Sequence, residues 1–556
     1  MGHAPRLREA RIGLICYAAG ATPDGMTGRY VYWIAGILAL TAGYACWCRA
    51  PLIWDGAYQL NTMLIMQHPY VYLTRFHTWF LWWPTVWASH LTSNMIVLQT
   101  VYGLPFLLAP AIGLLLSWWI VRREAPHLIL WVVFGVAAAT LPGQIFVIND
   151  SIFQQHMFWP VFVGLFVPLT WPKRIVLFAL AAFQFVHPLG VALLLGGALA
   201  AGGVAIVDVE HRRRLLFRAG LLALLCVMAV AKIEITNHLP QWRDTYAQQE
   251  ATWTNAKQRW LDAVRGLPLD GLNCMYAAGA LAQPLFKRRW RNAPPVAGIL
   301  AMVFAAVASV FWIQWAARPY WGSAIDYRRW VGPLTAPFFL AGALEVFLRA
   351  RRRQAAFASI APGMAVVALE YAGPHPNPPP EYREREKGTP PTRSRTQFTP
   401  LEVPEPAEST SLRGPLGILV AMIFAVVLGI QCTLWANLTD QLMADVRAYP
   451  SVVVPDWDSS LAWKNSTPLA HWATADYVTA MQGKMPAKVM LDWRSEQGIR
   501  ANPPRVPHWD FYPKGGPAPG PSGWFDFRPL LQQLAKEPPP SPDRHPPDQD
   551  VKTVPN

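Results

Sequence analysis

The sequence predicts an all-α polytopic membrane protein of about eleven transmembrane helices, with interfacial helices in its first outer loop and a small soluble C-terminal domain. Three observations predict it. Residues of the AVILMFWYC set make up 53% of 556 positions, while charged residues make up only 15%. The apolar content falls in blocks of about 20 residues, the length of helix that crosses a bilayer core of about 30 Å. The 48 bases, against 34 acids for a formal charge of +14, gather in short clusters between those blocks, as they do in the cytoplasmic loops of membrane proteins. The charge therefore reads as topology and points away from nucleic acid, since no basic stripe interleaved with exposed aromatics is present.

Taken in order, residues 1–30 carry Arg6, Arg8 and Arg11 and read as a cytoplasmic leader, with a signal peptide ending near Ala21 as the alternative. The first span is 31–48. Further apolar segments lie at 98–121, 128–148, 152–170, 175–187, 189–207, 216–235, 267–286, 295–317 and 331–348. The two between 175 and 207 are short, and they read as separate spans, as one long tilted helix, or as a hairpin around His187 and Pro188. With the N-terminus inside, the pairs Arg122-Arg123 and Lys173-Arg174 and the basic runs at 211–214, 287–291 and 349–353 all fall on the inner side. That places the protein in a membrane, expected to be a bacterial inner or plasma membrane, with a cytoplasmic N-terminus and an extracytoplasmic C-terminus. Residues 349–414 form a Pro-rich, charged linker with a repeat-like insert at 373–397, expected to be disordered. The last span is 415–436. A soluble extracytoplasmic domain follows over 437–536, with strand-like runs at 451–454 and 488–491 and tryptophans expected in its core, and 537–556 is a Pro-rich tail. Six scattered cysteines show neither metal-type spacing nor a disulfide framework.

The chemistry concentrates in the first outer loop, 54–91, which is dense in Trp, Tyr, Phe and His. Leu60, Met63 and Leu64, then Leu73, Phe76, Phe80, Trp83 and Trp87, recur at three- and four-residue steps, the pattern of helices lying in the interface with their rings at headgroup level. Asp55 opens the loop. It reads either as a helix N-cap or as a base placed where an acceptor hydroxyl meets a lipid-borne donor. Asp150 lies in the turn between the third and fourth spans, where Ser151 and Gln154 fit a capping box and would leave its carboxylate free. With His156, near the outer end of the fourth span, the two acids could bind a divalent cation. Arg318, Arg328 and Arg329 break the inner-side charge rule. Their forked donors fit a lipid phosphate, or they snorkel to headgroups.

This layout resembles the GT-C superfamily of membrane glycosyltransferases, on topology over residues 31–350 and on the positions of Asp55 and Asp150. The resemblance implies an enzyme that takes a sugar from a polyprenyl-phosphate carrier to a glycan, lipid or protein acceptor outside the membrane. By the same resemblance Asp55 is the acceptor-activating base, Asp150 an assisting or metal-binding acid, and Arg328-Arg329 a site for the departing phosphate, to which Arg318 and His156 would add. Many members carry a second acid after the first, where this chain has Gly56. A transporter or flippase, which would place polar groups on broken helices near the midplane, and a noncatalytic envelope-assembly scaffold are the alternatives.

Overall fold

The computed structural model describes residues 23–52, 55–69, 75–140, 148, 150–239, 339–352, 354–355, 413–455 and 477–491, together with six positions between 524 and 536. Helix α1 (Pro23–Trp47) opens on a proline, which costs nothing where the first N–H has no partner anyway. It ends at Arg49, held in the left-handed region at φ 64°, and a buried 3-10 turn, Ala50–Leu52, leads away. Next come α2 (Asp55–Met66), α3 (His77–Leu91), α4 (Met95–Leu107) and α5 (Ala109–Val121). The Asn94 carboxamide oxygen accepts the Ile96 N–H at 2.9 Å and so starts α4. Two prolines, Pro105 and Pro110, interrupt the hydrogen-bond ladder around Leu108, where α4 passes into α5. Then follow α6 (Ile129–Thr140), α7 (Asp150–Gly164), α8 (Trp171–Ala182), α9 (Leu189–Val207), α10 (Arg212–His238), α11 over the helical residues 339–352, and α12 (Arg413–Ala448). Two short parallel strands complete the described structure: β1 (Val453–Pro455) pairs with β2 (Val489–Leu491), Val453 opposite Val489.

Four helical stretches, Gly28–Trp47, Met95–Val121, Leu189–Val207 and Arg212–Thr236, are long and apolar enough to cross a membrane. On α10, Leu216, Phe217, Leu224, Val227, Met228 and Ile235 are exposed, a surface that hydrocarbon would cover without penalty. The segments expected to span at 152–170 and 175–187 fold as the shorter α7 and α8, while of 128–148 residues 129–140 form α6 and 141–147 lie outside the described residues. Those at 267–286 and 295–317, with the start of 331–348, lie outside the described residues.

Between 175 and 207 the chain is not one continuous helix. Helix α8 tightens into the 3-10 turn Phe183–Val186, His187 is extended, and α9 begins at Leu189. Proline 188 cannot donate to the ladder, which fixes the break. Gly190 completes the corner, because a Cβ there would lie 1.8 Å from the Gln184 carbonyl oxygen. The final helix also departs from expectation. It runs twelve residues past 436, to Ala448, burying Thr439, Leu442, Met443 and Val446, so the expected domain boundary at 437 falls inside a helix.

Helices α1 and α12 run side by side in the same direction: Ile34 lies against Gly417, the Tyr44 hydroxyl meets Thr433 Oγ1 at 2.8 Å, and Arg49 pairs with Asp440 at 2.5 Å. The basic residues on the far end of the bundle serve helix ends. Lys173 Nζ donates to the Ile120 carbonyl at 2.7 Å, and Arg218 donates to the carbonyls of Gly164, Leu165 and Val167 at 2.9, 2.8 and 2.8 Å. They satisfy oxygens that the C-termini of α5 and α7 would otherwise leave without donors. Trp131 donates to Glu345, itself paired with Arg349, and so joins α6 to α11.

Candidate functional site

At the other end, Asp150 is the first residue of α7, where the helix dipole favours an acid. Its carboxylate is not free, as the capping-box reading required. Arg75 Nη1 donates to Oδ2 at 2.6 Å, and His77 Nε2 meets Oδ1 at 2.7 Å. The capping box itself does not form in the expected way: the Gln154 Oε1 that would accept a main-chain N–H has no partner among the described residues, while the amide N–H donates to the Gln184 carbonyl at 2.6 Å and braces the 3-10 turn. Both new partners come from the first outer loop: Arg75 just before α3, and His77 as its first residue.

Aromatic rings dry this ion pair. The His77 ring stacks on Phe153 at 6.3 Å and meets Phe183 edge-on at 5.3 Å and Phe106 at 6.4 Å. Asp150 is 8% and His77 2% exposed, so the Asp150 carboxylate acts at low dielectric, where attraction and desolvation are both large. Burial pushes the Asp150 carboxyl up, but the neighbouring His77 and Arg75 charges outweigh it and hold the group well below the usual carboxylate range. His187, at the corner after α8, adds to that effect. Lys232 of α10 stands within electrostatic reach of both Arg75 and Asp150. Among the described residues one carboxylate thus has Arg75, His77, His187 and Lys232 within electrostatic reach.

The first turn of α2 lies beside the segment that leads into Asp150. Ile148 Cγ1 would be 3.7 Å from a Cβ placed on Gly56, and the Pro51 carbonyl oxygen 1.8 Å from it. No side chain fits at 56, which gives a steric reason for glycine where a second acid was expected. The backbone of Asp55 opens α2; its side chain lies outside the described residues. Helix α2 is not an interfacial helix: Leu60, Met63 and Leu64 are buried in the core. On α3 the expectation fits better, since Phe76, Phe80 and Trp87 are exposed along one face, with Trp83 and Trp87 rings 5.9 Å apart, while His77, Trp82, Thr85 and Ser89 face inward. Trp524 ties the two helices together, its main-chain N–H reaching the Leu64 carbonyl at 3.4 Å and its indole N–H donating to the Ser89 carbonyl at 3.2 Å.

His156 lies apart. Six residues along α7 from Asp150, it is about 9 Å further down the helix axis, fully buried, with neither ring nitrogen partnered among the described residues. At that spacing Asp150 and His156 do not converge on one ion. Among the described residues no group of three or more His, Cys, Asp or Glu side chains is gathered as a metal site. Arg318, Arg328 and Arg329 lie outside the described residues. Arg75, His77 and Lys232 are the site residues that sequence reasoning missed. Arg75 had a signal, as the lone Lys or Arg between Arg49 and Arg122 in a stretch whose lone acid is Asp55. No family model matches the chain, and neither does any curated protein or solved structure.

Proposed function

We propose that this chain is a membrane glycosyltransferase that moves a sugar from a polyprenyl-phosphate carrier to an extracytoplasmic glycan, lipid or protein. The observation that carries this reading is the approach of Ile148 to Gly56, its Cγ1 3.7 Å from where a Cβ at 56 would lie, which brings the neighbours of Asp55 and Asp150 to one end of the bundle. Roles divide between the acids by environment. Asp150, with both oxygens engaged and its carboxyl held low, is a poor base. It positions Arg75 and His77. Asp55, at the mouth of the loop, is the base that takes the proton from the acceptor hydroxyl as that oxygen attacks the sugar carbon. The basic groups around Asp150 then draw in the carrier phosphate and stabilise it as it departs. Arg318, Arg328 and Arg329 are proposed for the same task.

The parallel course of α1 and α12 supports the expected topology, because two parallel spans need an odd number of crossings between them. Eleven spans meet that condition, with the chain ends on opposite faces. The transporter reading draws on His156, an unpartnered ionisable group within an apolar helix, which is where transporters place coupling sites.

The test is glycosyl transfer from a mixture of polyprenyl-phosphate sugars in membranes expressing wild type or Asp55→Asn, at matched protein levels. Transfer that vanishes in the folded variant supports Asp55 as base. Equal transfer removes Asp55 from the chemistry. Absence of transfer in both favours transport or a scaffold, and the transporter reading then requires vesicle uptake that His156→Gln abolishes.

A further inference from the structure

We propose that Cys48 and Cys432 form a disulfide that fastens the last long helix to the first at the Asp150 end of the molecule. Cys48 directly follows α1, and Cys432 lies on α12. Both are buried, at 3% and 0% exposure, and both are free thiols in the structure, each within interaction distance of the other. The surrounding contacts hold the two chains in register on either side of the pair. One turn before Cys48, the Tyr44 hydroxyl meets Thr433 at 2.8 Å. Immediately after it, Arg49 pairs with Asp440 at 2.5 Å and its carbonyl accepts the Trp435 indole N–H at 3.3 Å. A disulfide needs a short Cβ–Cβ approach and a narrow range of dihedral angles, and two backbones pinned in this way leave mainly side-chain rotation to close the bond. Cys46, two residues earlier, is also a buried free thiol within electrostatic reach of Cys432 and is the competing partner.

The bond forms by exchange with a disulfide-bearing oxidant. The Cys48 thiolate attacks one sulfur of the oxidant's disulfide and expels the other as a thiolate. The Cys432 thiolate then attacks the Cys48 sulfur of the mixed disulfide, closing the S–S bond and expelling the second thiolate. Two thiols lose two protons and two electrons, and the oxidant gains them as two thiols. The proposal rests on the functional reading in one respect, that this end faces outward, where disulfides persist. Its test does not involve glycosyl transfer, so the two can fail separately.

Membranes carrying the full chain are quenched with N-ethylmaleimide, and the protein is digested and analysed by mass spectrometry without reduction. The expected result is a linked peptide pair containing Cys48 and Cys432, absent after reduction and absent from Cys432→Ser, but retained in Cys46→Ser. A parallel sample receives oxidised glutathione before quenching. Alkylation of both thiols in the untreated and the oxidised samples overturns the pairing. A link that appears only after added oxidant overturns the native disulfide. A link between Cys46 and Cys432 in its place also overturns it.

Discussion

At the Lys173 end, Lys173 and Arg218 give their hydrogens to main-chain carbonyls of α5 and α7; at the Asp150 end, Arg75 and His77 are set against a carboxylate. The first arrangement pairs each cation with neutral oxygens that a helix terminus leaves unsatisfied, so its purpose is met within the fold. In the second arrangement the described basic groups gather around one buried carboxylate. Buried ion pairs are weak evidence for stability, because desolvation offsets much of their attraction.

The sharpest way to break the comparison is Asp150→Asn. Leaving the buried His77 and the half-buried Arg75 without the carboxylate should cost up to about 3–5 kcal/mol, read by thermal unfolding in detergent. Replacing all three at once, Asp150→Leu with Arg75→Met and His77→Leu, should recover much of that loss while transfer stays absent. A triple variant as unstable as the single one would make the cluster structural, like its counterpart at the far end. The same variant carries a pH signature. The folded Asp150 carboxyl titrates below its unfolded value of about 3.9, so its contribution is complete at neutral pH and is lost as pH falls through that value towards the lower folded one. Wild type and Asp150→Asn should therefore converge in stability only in strong acid, as melting curves across pH would reveal.

Trp524→Ala comes next, at about 3 kcal/mol for a buried indole, and limited proteolysis should then cut residues 55–91 faster. Gly56→Asp restores the second acid common in the resembled family. Against the Pro51 carbonyl it should destabilise by about 1–3 kcal/mol, and transfer should fall rather than rise. The smallest effect belongs to Lys173→Met, about 1–2 kcal/mol for a lost charged hydrogen bond, with transfer per folded molecule unchanged. A loss of transfer there would erase the distinction between the two ends.

Local signals carried much of the fold. The apolar segments at 98–121, 189–207 and 216–235 fall on α4–α5, α9 and α10, and the runs at 451–454 and 488–491 meet as β1 and β2. Periodicity marked Leu60, Met63 and Leu64 as one face but not whether that face meets lipid or protein, since hydrocarbon and a protein core select the same residues. It also gave no sign that the Ser151 and Gln154 spacing would yield to the pull of the Gln184 carbonyl. The site was legible at Asp150 and illegible at its partners. Arg75 and Asp150 meet where α3 and α7 begin, and no pattern local to either helix start encodes that meeting.

The seam between α1 and α12 has a consequence for how the protein is made. The first helix emerges from the ribosome with its partner still untranslated, and Trp524, which clips α2 to α3, follows later still. Until α12 and then Trp524 have been synthesised, the loop bearing Asp55 and Arg75 lacks two of its supports. Products truncated before Trp524 should therefore be cut faster within residues 55–91 than the full chain.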